Sequence, residues 1–506
     1  LVCQVALLSV VLSAVCNRRT AFLCVMFFLI VFAFADYGDL NMNYIYPYST
    51  ETTHGIVLSF AAIAGFWKWL QPGRLAFLAV TGACVGLVFL TKAEVFLALA
   101  AALFVGLVLA TWLQSTLSEA LIAWGTFSVS FCVPLTVACL LFSLEMPFSH
   151  ALHATGGAFA YVFNERITTT PFYRNLMGTQ SVSASLTAMG SWTAIYAAAI
   201  SGATVIAFLV RGSRNLCRAA ALAAALILAA AIACYYMSVC RNWLRPLPIV
   251  LAIAGCATLC RLWNWRDQPA KIREPLLELV VIVFSFSLLF KVILNVRVYS
   301  YGFALAMPGT LVLLVILWER IPSAIRRSSG SPLVFEGACL GWSLALMVSF
   351  LYQSQLHFNA KSYSVAGGAN WIKCEPAVGR AVDAMLREIS THTTPEQSLI
   401  AMPEGTMINF LARRSNRVPY LNYNPTEVHL YGEDRMLAAL EAHPPDFLFW
   451  APRDYSEFGV QRLGTGYGEK LAAWLTNHYE LMASTRQDGS SPLMQLARYR
   501  KNSNEK

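Results

Sequence analysis

The sequence predicts a multi-pass α-helical membrane protein that ends in a small α/β domain. Of its 506 residues, 57% are apolar and only 13% are charged, whereas about 25% are charged in an average soluble protein. The mean hydropathy is +0.54. Long apolar runs recur up to residue 352, and a mixed, soluble-type composition follows. We therefore expect a membrane domain over residues 1–352 and a soluble domain over residues 353–506.

Twelve apolar runs make up the predicted membrane domain, each near the roughly 20 residues that a helix needs to cross a bilayer. Several are shorter, so re-entrant helices remain an alternative to full spans. The runs cover residues 1–16, 21–35, 55–70, 75–90, 95–113, 120–144, 191–210, 219–239, 246–260, 276–292, 301–318 and 333–352.

The basic residues predict the orientation in the membrane. Up to residue 352 there are 21 Lys and Arg against 12 Asp and Glu, and residues 353–506 hold 16 of each, so the net charge of +9 indicates topology rather than nucleic acid binding. If Arg18 and Arg19 lie in a cytoplasmic loop, the alternating loops place 14 basic residues inside and seven outside, in line with the positive-inside rule. Loop 36–54 and the C-terminal domain are then extracytoplasmic, and we expect a bacterial inner (plasma) membrane.

The first run begins at Leu1 without a basic flank, which is not typical of a signal peptide. In the orientation above it crosses from outside to inside. We therefore expect an earlier crossing, and a sequence that lacks its own N-terminus.

The first external loop of the sequence is acidic and rich in tyrosine. Asp36, Asp39 and Glu51 lie within sixteen positions between two apolar runs. Carboxylates are costly to place at a membrane boundary and usually have a function there. They are candidates for a base that accepts a proton from an acceptor hydroxyl, or for ligands of a supporting divalent metal ion, and their spacing does not decide between these roles.

Two further external turns carry cations. Lys92 and Glu94 lie in a very short turn, where they either solvate the turn by snorkelling or present a cation to a lipid phosphate. The other turn holds Lys291 and Arg297 with two tyrosines, Tyr299 and Tyr301. An Arg at this depth faces protein, water or an anion, and its planar guanidinium matches a phosphate; the alternative is an Arg that caps a helix end.

Acids and cations on one membrane face fit a sugar donor linked to a polyprenyl phosphate. Its tail lies in the bilayer, its phosphate needs positive charge as it departs, and its sugar lies just outside. The cations at positions 92, 291 and 297 are candidates for binding the phosphate. Partners would then be this lipid-linked sugar, membrane lipid and a glycan, lipid or protein acceptor.

The residues after 352 alternate between helix and strand patterns, which is typical of a small α/β sandwich. Motifs for dinucleotide, nucleotide or zinc binding and for hydrolase nucleophiles are absent from the sequence. The predicted elements are helix 376–390, strand 398–402, helix 405–413, strand 418–422, helix 433–442, strand 446–450, helix 467–477 and strands near 479–485 and 492–499.

The chain resembles membrane glycosyltransferases of the GT-C architecture, in particular bacterial relatives of the dolichyl-phosphate-mannose protein mannosyltransferases. The resemblance covers most of the chain and depends on its layout and on the segments 86–94 and 294–308. In the C-terminal domain it depends on Pro403-Glu404-Gly405 with Asn409, on Pro444-Pro445-Asp446, and on Asp454-Tyr-Ser-Glu457-Phe-Gly459.

The resemblance implies a GT-C-like helical bundle with an extracytoplasmic active site, a lipid-phosphate-sugar donor and inverting transfer without a covalent enzyme intermediate. It also places the principal acidic residue in a loop upstream of Leu1. Asp36, Asp39 and Glu51 then belong to the second external loop and support the sugar site. A transporter or lipid flippase, a lipid-linked polysaccharide ligase or polymerase, and a non-catalytic envelope scaffold are the rival functions.

Overall fold

A computed structural model describes residues 1–36, 42–45, 49–71, 74–114, 116–161, 164–366, 371–485 and 493–500. The chain is mostly helical, with a small strand-containing region at its C-terminal end. It divides into two compact units. Leu1–Phe163 and Leu176–Gln355 form the first unit, and Asn164–Asn175 and Leu356–Lys506 form the second.

The part of the chain up to residue 360 is a succession of helices. Short π-helical stretches continue two of them, at Phe28–Ala33 and Ile316–Arg320. The α-helices are α1 (Val2–Val15), α2 (Arg18–Phe27), α3 (Thr50–Leu70), α4 (Leu75–Phe89), α5 (Ala93–Gln114), α6 (Leu117–Ser143), α7 (Phe148–Gly156), α8 (Glu165–Thr168), α9 (Pro171–Met177), α10 (Val182–Leu209), α11 (Arg214–Cys234), α12 (Tyr236–Asn242), α13 (Leu247–Asn264), α14 (Pro269–Leu288), α15 (Gly302–Leu305), α16 (Met307–Val315), α17 (Ile321–Arg327) and α18 (Leu333–Ala360).

Eight helical segments within the described ranges are long and apolar enough to cross a membrane. Each of the twelve apolar runs in the sequence falls on helix in the structure. Two of these helices, α1 and α4, are apolar but have only 14 and 15 residues. The structure therefore supports a multi-pass helical membrane protein.

Glycines let two helices of the first unit pack with their backbones in contact. A Cβ added at Gly82 of α4 would overlap the carbonyl oxygen of Phe127 in α6, and one at Gly86 would overlap that of Phe131. Small residues at such interfaces permit close helix packing in lipid, where burial of apolar side chains gives little driving force. The turn that follows α4 is positioned by this contact.

The second unit contains a four-stranded sheet and two small two-stranded pairs. Its elements are β1 (Tyr363–Val365), β2 (Ile372–Cys374), α19 (Pro376–His392), β3 (Leu399–Met402), α20 (Thr406–Ala412), α21 (Pro425–Tyr431), α22 (Glu433–Ala442), β4 (Phe447–Trp450), β5 (Arg462–Leu463), β6 (Gly466–Tyr467), α23 (Glu469–His478), β7 (Tyr479–Thr485) and β8 (Met494–Tyr499).

The four-stranded sheet has the order β3-β4-β8-β7, with β3 and β4 parallel and the other neighbours antiparallel. Successive residues of a strand point to opposite faces. Accordingly, Ile400 and Leu448 join a core with α21, α22 and α23, whereas Leu399 and Phe447 join a core with α19 and α20. Helices thus cover both faces of this sheet.

The predicted strand at 418–422 is wrong. The side-chain oxygen of Asn416 accepts from the Val418 amide at 3.0 Å, and its amide nitrogen donates to the Tyr420 carbonyl at 3.0 Å. Pro419 has no N–H for a strand ladder. A short irregular segment forms instead, and helix α21 follows it, which the sequence analysis did not predict.

Candidate functional site

Glu51 and Lys92 form the first contact between predicted site residues. Glu51 lies in the first turn of α3, and Lys92 lies in the turn between α4 and α5. Lys92 Nζ is 3.2 Å from Glu51 Oε1. Gly55 keeps the two elements close, because a Cβ there would lie 2.8 Å from Thr91 Oγ1. An acid from one predicted loop and a cation from another therefore meet at one end of the first unit.

Glu94 and Lys291 form a second, tighter pair. Lys291 Nζ lies 2.5 Å from Glu94 Oε1, and both side chains are about three quarters buried. The same ammonium group lies 4.2 Å from the centre of the Tyr301 ring, a cation–π distance. Because Lys92 and Glu94 share one turn, the two ion pairs are adjacent, and five predicted residues form one continuous group.

Arg297 lies in the same turn as Lys291 and contacts Tyr299. Its Nη1 donates to the Tyr299 hydroxyl at 2.6 Å, and its Cζ lies 4.3 Å from the ring centre. Its Nε is buried and has no hydrogen-bond partner among the described residues. Gly302 permits this tight turn, since a Cβ there would overlap the Arg297 carbonyl oxygen.

Arg245, between α12 and α13, is a site residue that the sequence analysis did not select. Its Nη1 donates to the Leu294 carbonyl at 2.8 Å and its Nε donates to Asn242 at 3.3 Å. Burial, and then the nearby charge of Arg297, lower the pKa of Arg245. Within the described ranges, neither arginine has a carboxylate partner. In the sequence, Arg245 could have been selected as part of a basic, aromatic external turn. The turn that it contacts, at Leu294, lies 49 residues further along the chain.

The acidic loop is described in part. Asp36 is buried, and its amide donates to Ser354 Oγ at 2.9 Å. Asp39 lies outside the described residues. The Tyr44 ring packs edge-on against Phe28 and against Phe303, with centroids 5.1 and 5.5 Å apart. The loop therefore reaches the segment that directly follows Tyr301.

The N-terminal half of α14 carries a separate group of charges. Glu278, midway along this helix, is 2.9 Å from Arg320 Nη2 and 2.7 Å from Arg261 Nη1. Glu274, nearer its start, is 3.3 Å from Arg320 Nη2. Lys291, just past its other end, belongs to the group described above. The two groups thus lie at different positions along α14.

In the described part of the chain, no three side chains of His, Cys, Asp or Glu gather closely enough to hold a metal ion. The group instead combines carboxylates, ammonium groups and guanidinium groups. Such a set can bind an anion, position a polar ligand and accept a proton.

Comparisons with known proteins leave the family open. No protein-family model matches this chain, and no curated protein matches it.

Proposed function

We propose that this protein is an integral-membrane glycosyltransferase. It moves a sugar from a polyprenyl-phosphate donor to an acceptor on the extracytoplasmic face. The reaction breaks the bond between the anomeric carbon and the phosphate oxygen. It forms a bond from that carbon to an acceptor oxygen, with inversion.

The pair of arginines carries the proposal. Arg245 and Arg297 lie near each other, are half buried and have no carboxylate partner among the described residues. Two like charges held together without a counterion favour an anionic ligand. A phosphate with its lipid tail in the bilayer supplies that anion at a helix end, and the guanidinium groups then stabilise the phosphate as it leaves.

The two lysines have a different role in this proposal. Each is already paired with a carboxylate, Lys92 with Glu51 and Lys291 with Glu94. The pairs hold the turns together and keep the net charge beside the sugar near zero. The partly exposed Glu51 and the buried Asp36 are the acids within the described residues that we propose for contacts to sugar hydroxyls or to the acceptor.

The test is transfer of labelled sugar from polyprenyl-phosphate hexose to a membrane acceptor fraction, by the protein reconstituted in proteoliposomes. We expect transfer that Arg297→Ala abolishes and Arg241→Ala, an exposed arginine nearby, leaves intact. Translocation of polyprenyl phosphate between leaflets without sugar transfer would instead favour a flippase. If the well-folded protein shows neither sugar transfer nor translocation, the proposal is refuted.

A further inference from the structure

The turn between α1 and α2 borders a cavity of about 600 Å³ in the first unit. Four helical segments begin or end near this turn. Helix α1 ends at Val15, α2 begins at Arg18, the apolar segment Gly302–Arg327 ends, and α18 begins at Leu333. A helix that crosses a membrane ends at the membrane boundary, where the lipid headgroups lie. The cavity is therefore at the depth of the headgroups.

Three arginines and two glutamates line this cavity, so its wall carries a net charge of +1. Arg18 and Arg19 are exposed at the start of α2. Arg326 comes from the last turn of α17. Glu319 and Glu336 are the two acids. The positive charge of the wall is thus contributed by two separate helices.

Both carboxylates of the wall already have partners. Glu319 Oε2 accepts from the backbone amide and from the side-chain amide of Asn17, at 2.8 Å each. Glu336 Oε1 lies 3.5 Å from Arg326 Nη2, which is longer than an ordinary hydrogen bond. Within the described ranges, the side chains of Arg18 and Arg19 make no ion pair and no hydrogen bond. Their guanidinium groups therefore remain able to bind an anion.

The rest of the wall includes apolar side chains on a fixed framework. Leu23, Trp318 and Pro322 line the cavity beside the arginines. The Trp318 indole donates to Ser343 Oγ at 3.3 Å, which holds its ring against α18. The hydrogen bonds from Asn17 to Glu319 join the α1–α2 turn to the same segment. Positive charge and apolar surface are therefore held next to each other.

The two kinds of wall indicate the class of ligand. Free phosphate would engage the arginines but would leave the apolar side chains uncovered. A zwitterionic lipid would bring a further cation to a wall that is already positive. An anionic phospholipid offers a phosphate without a cation, and its glycerol and chain carbons cover the apolar surface. Basic pockets between membrane helices bind headgroups of this kind.

We propose that the cavity at the α1–α2 turn binds the headgroup of an anionic phospholipid. The phosphate binds to the three arginines, where guanidinium groups make charge-assisted and bidentate hydrogen bonds. The glycerol and the first chain carbons pack against the apolar wall. None of these residues belongs to the proposed transfer site, so the outcome of the test does not depend on sugar transfer.

The experiment is native mass spectrometry of the full chain, freed of lipid in a neutral detergent. The probes are dioleoylphosphatidylglycerol and dioleoylphosphatidylcholine, which share their chains and phosphate and differ in net charge. Glycerol phosphate supplies the anionic headgroup without chains. We expect phosphatidylglycerol to bind about tenfold or more tightly than phosphatidylcholine. Glycerol phosphate at equal concentration should not displace it.

Two double variants test the arginines. Arg18→Gln with Arg19→Gln should weaken binding of phosphatidylglycerol by about tenfold or more, as expected for charge-assisted contacts. The matched control is Arg211→Gln with Arg214→Gln. It removes the same charge from exposed positions near the start of α11 that do not line the cavity, and it should leave binding unchanged.

Ser323→Phe tests the cavity itself, because Ser323 lines it and the substitution fills space without removing charge. This variant should also weaken binding of phosphatidylglycerol. An unchanged midpoint of thermal unfolding shows that each variant is folded. Equal binding of the two lipids, displacement by glycerol phosphate at equal concentration, or equal losses in the two double variants would overturn the proposal.

Discussion

Lys291 and Glu94 lie 197 positions apart in the sequence, yet their Nζ and Oε1 atoms are 2.5 Å apart. This contact joins the first turn of α5 to the segment just after α14. Both segments were selected from the sequence for their charges, and the contact shows that they lie at the same end of the first unit.

We expect the Lys291–Glu94 pair to stabilise the first unit. Lys291→Met and Glu94→Gln should each lower the free energy of unfolding by about 1–3 kcal/mol, because each leaves a largely buried charge without its partner. The double variant should lose less than the sum of the two. Thermal unfolding of all four proteins in one detergent measures this coupling.

The Lys92–Glu51 pair is the matched control, since its contact is longer and Glu51 is 43% exposed. Its coupling should be smaller, at about 0–1 kcal/mol. Equal coupling free energies in the two pairs would contradict the prediction that the more buried pair is coupled more strongly.

The two arginines should contribute strongly to affinity for the lipid phosphate. Arg245→Ala and Arg297→Ala should each weaken binding of polyprenyl phosphate by about tenfold or more, as expected for a charge-assisted contact. Arg297→Lys should recover only part of the loss, because an ammonium group cannot bind in the planar bidentate manner. Binding to protein in lipid nanodiscs provides the measurement, and unchanged affinity in Arg241→Ala is the control.

Helix packing through glycine gives a prediction about stability. Gly82→Ala should lower the midpoint of thermal unfolding, because the added Cβ overlaps the Phe127 carbonyl. Gly125→Ala lies in helix α6 with no atom within 4 Å of the new Cβ. It should instead stabilise the helix by about 0.5–1 kcal/mol. A similar response to both substitutions would refute the close contact.

Glu427 of the second unit predicts a pH dependence. Burial, and then the charge of Glu404, raise the pKa of this carboxyl above 4.5 in the folded protein. The ionised carboxylate therefore destabilises the folded protein at neutral pH. This penalty is absent below the pKa of Glu427 in the unfolded chain, because the carboxyl is then protonated in both states. Glu427→Gln should raise the unfolding midpoint at pH 7, and this gain should disappear below about pH 4.5.

Glu441, an exposed residue of α22, provides the comparison. Glu441→Gln should change the unfolding midpoint little at either pH. A gain for Glu427→Gln that persists at acid pH would show that packing, rather than ionisation, is responsible.

Local patterns in the sequence were sufficient to predict the helices, because a run of apolar residues specifies burial or lipid exposure without reference to the rest of the chain. They also identified Glu51, Lys92, Glu94 and Lys291 as candidate site residues, because charged side chains near a membrane boundary are costly and usually have a function. Which acid pairs with which lysine could not be predicted, since that depends on the packing of α3, α5 and α14.

Two errors have the same physical origin. Arg245 was not selected because its relation to Arg297 exists only once two distant turns meet. The strand predicted at 418–422 failed because side-chain hydrogen bonds from Asn416 compete with a strand ladder, and their geometry depends on the local fold. In both cases the structure depends on a contact made by particular side chains, whereas sequence patterns and propensities score each residue separately.

The second unit includes Asn164–Asn175, a segment flanked on both sides by the first unit. The chain therefore passes between the units three times, after residues 163, 175 and 355. A protease that cuts after residue 163 or 175 would leave the two units covalently joined, whereas a cut after residue 355 would release residues 356–506. A fragment that begins at Leu356 would lack Phe172, which stacks on Phe458, and so would lose part of its own packing.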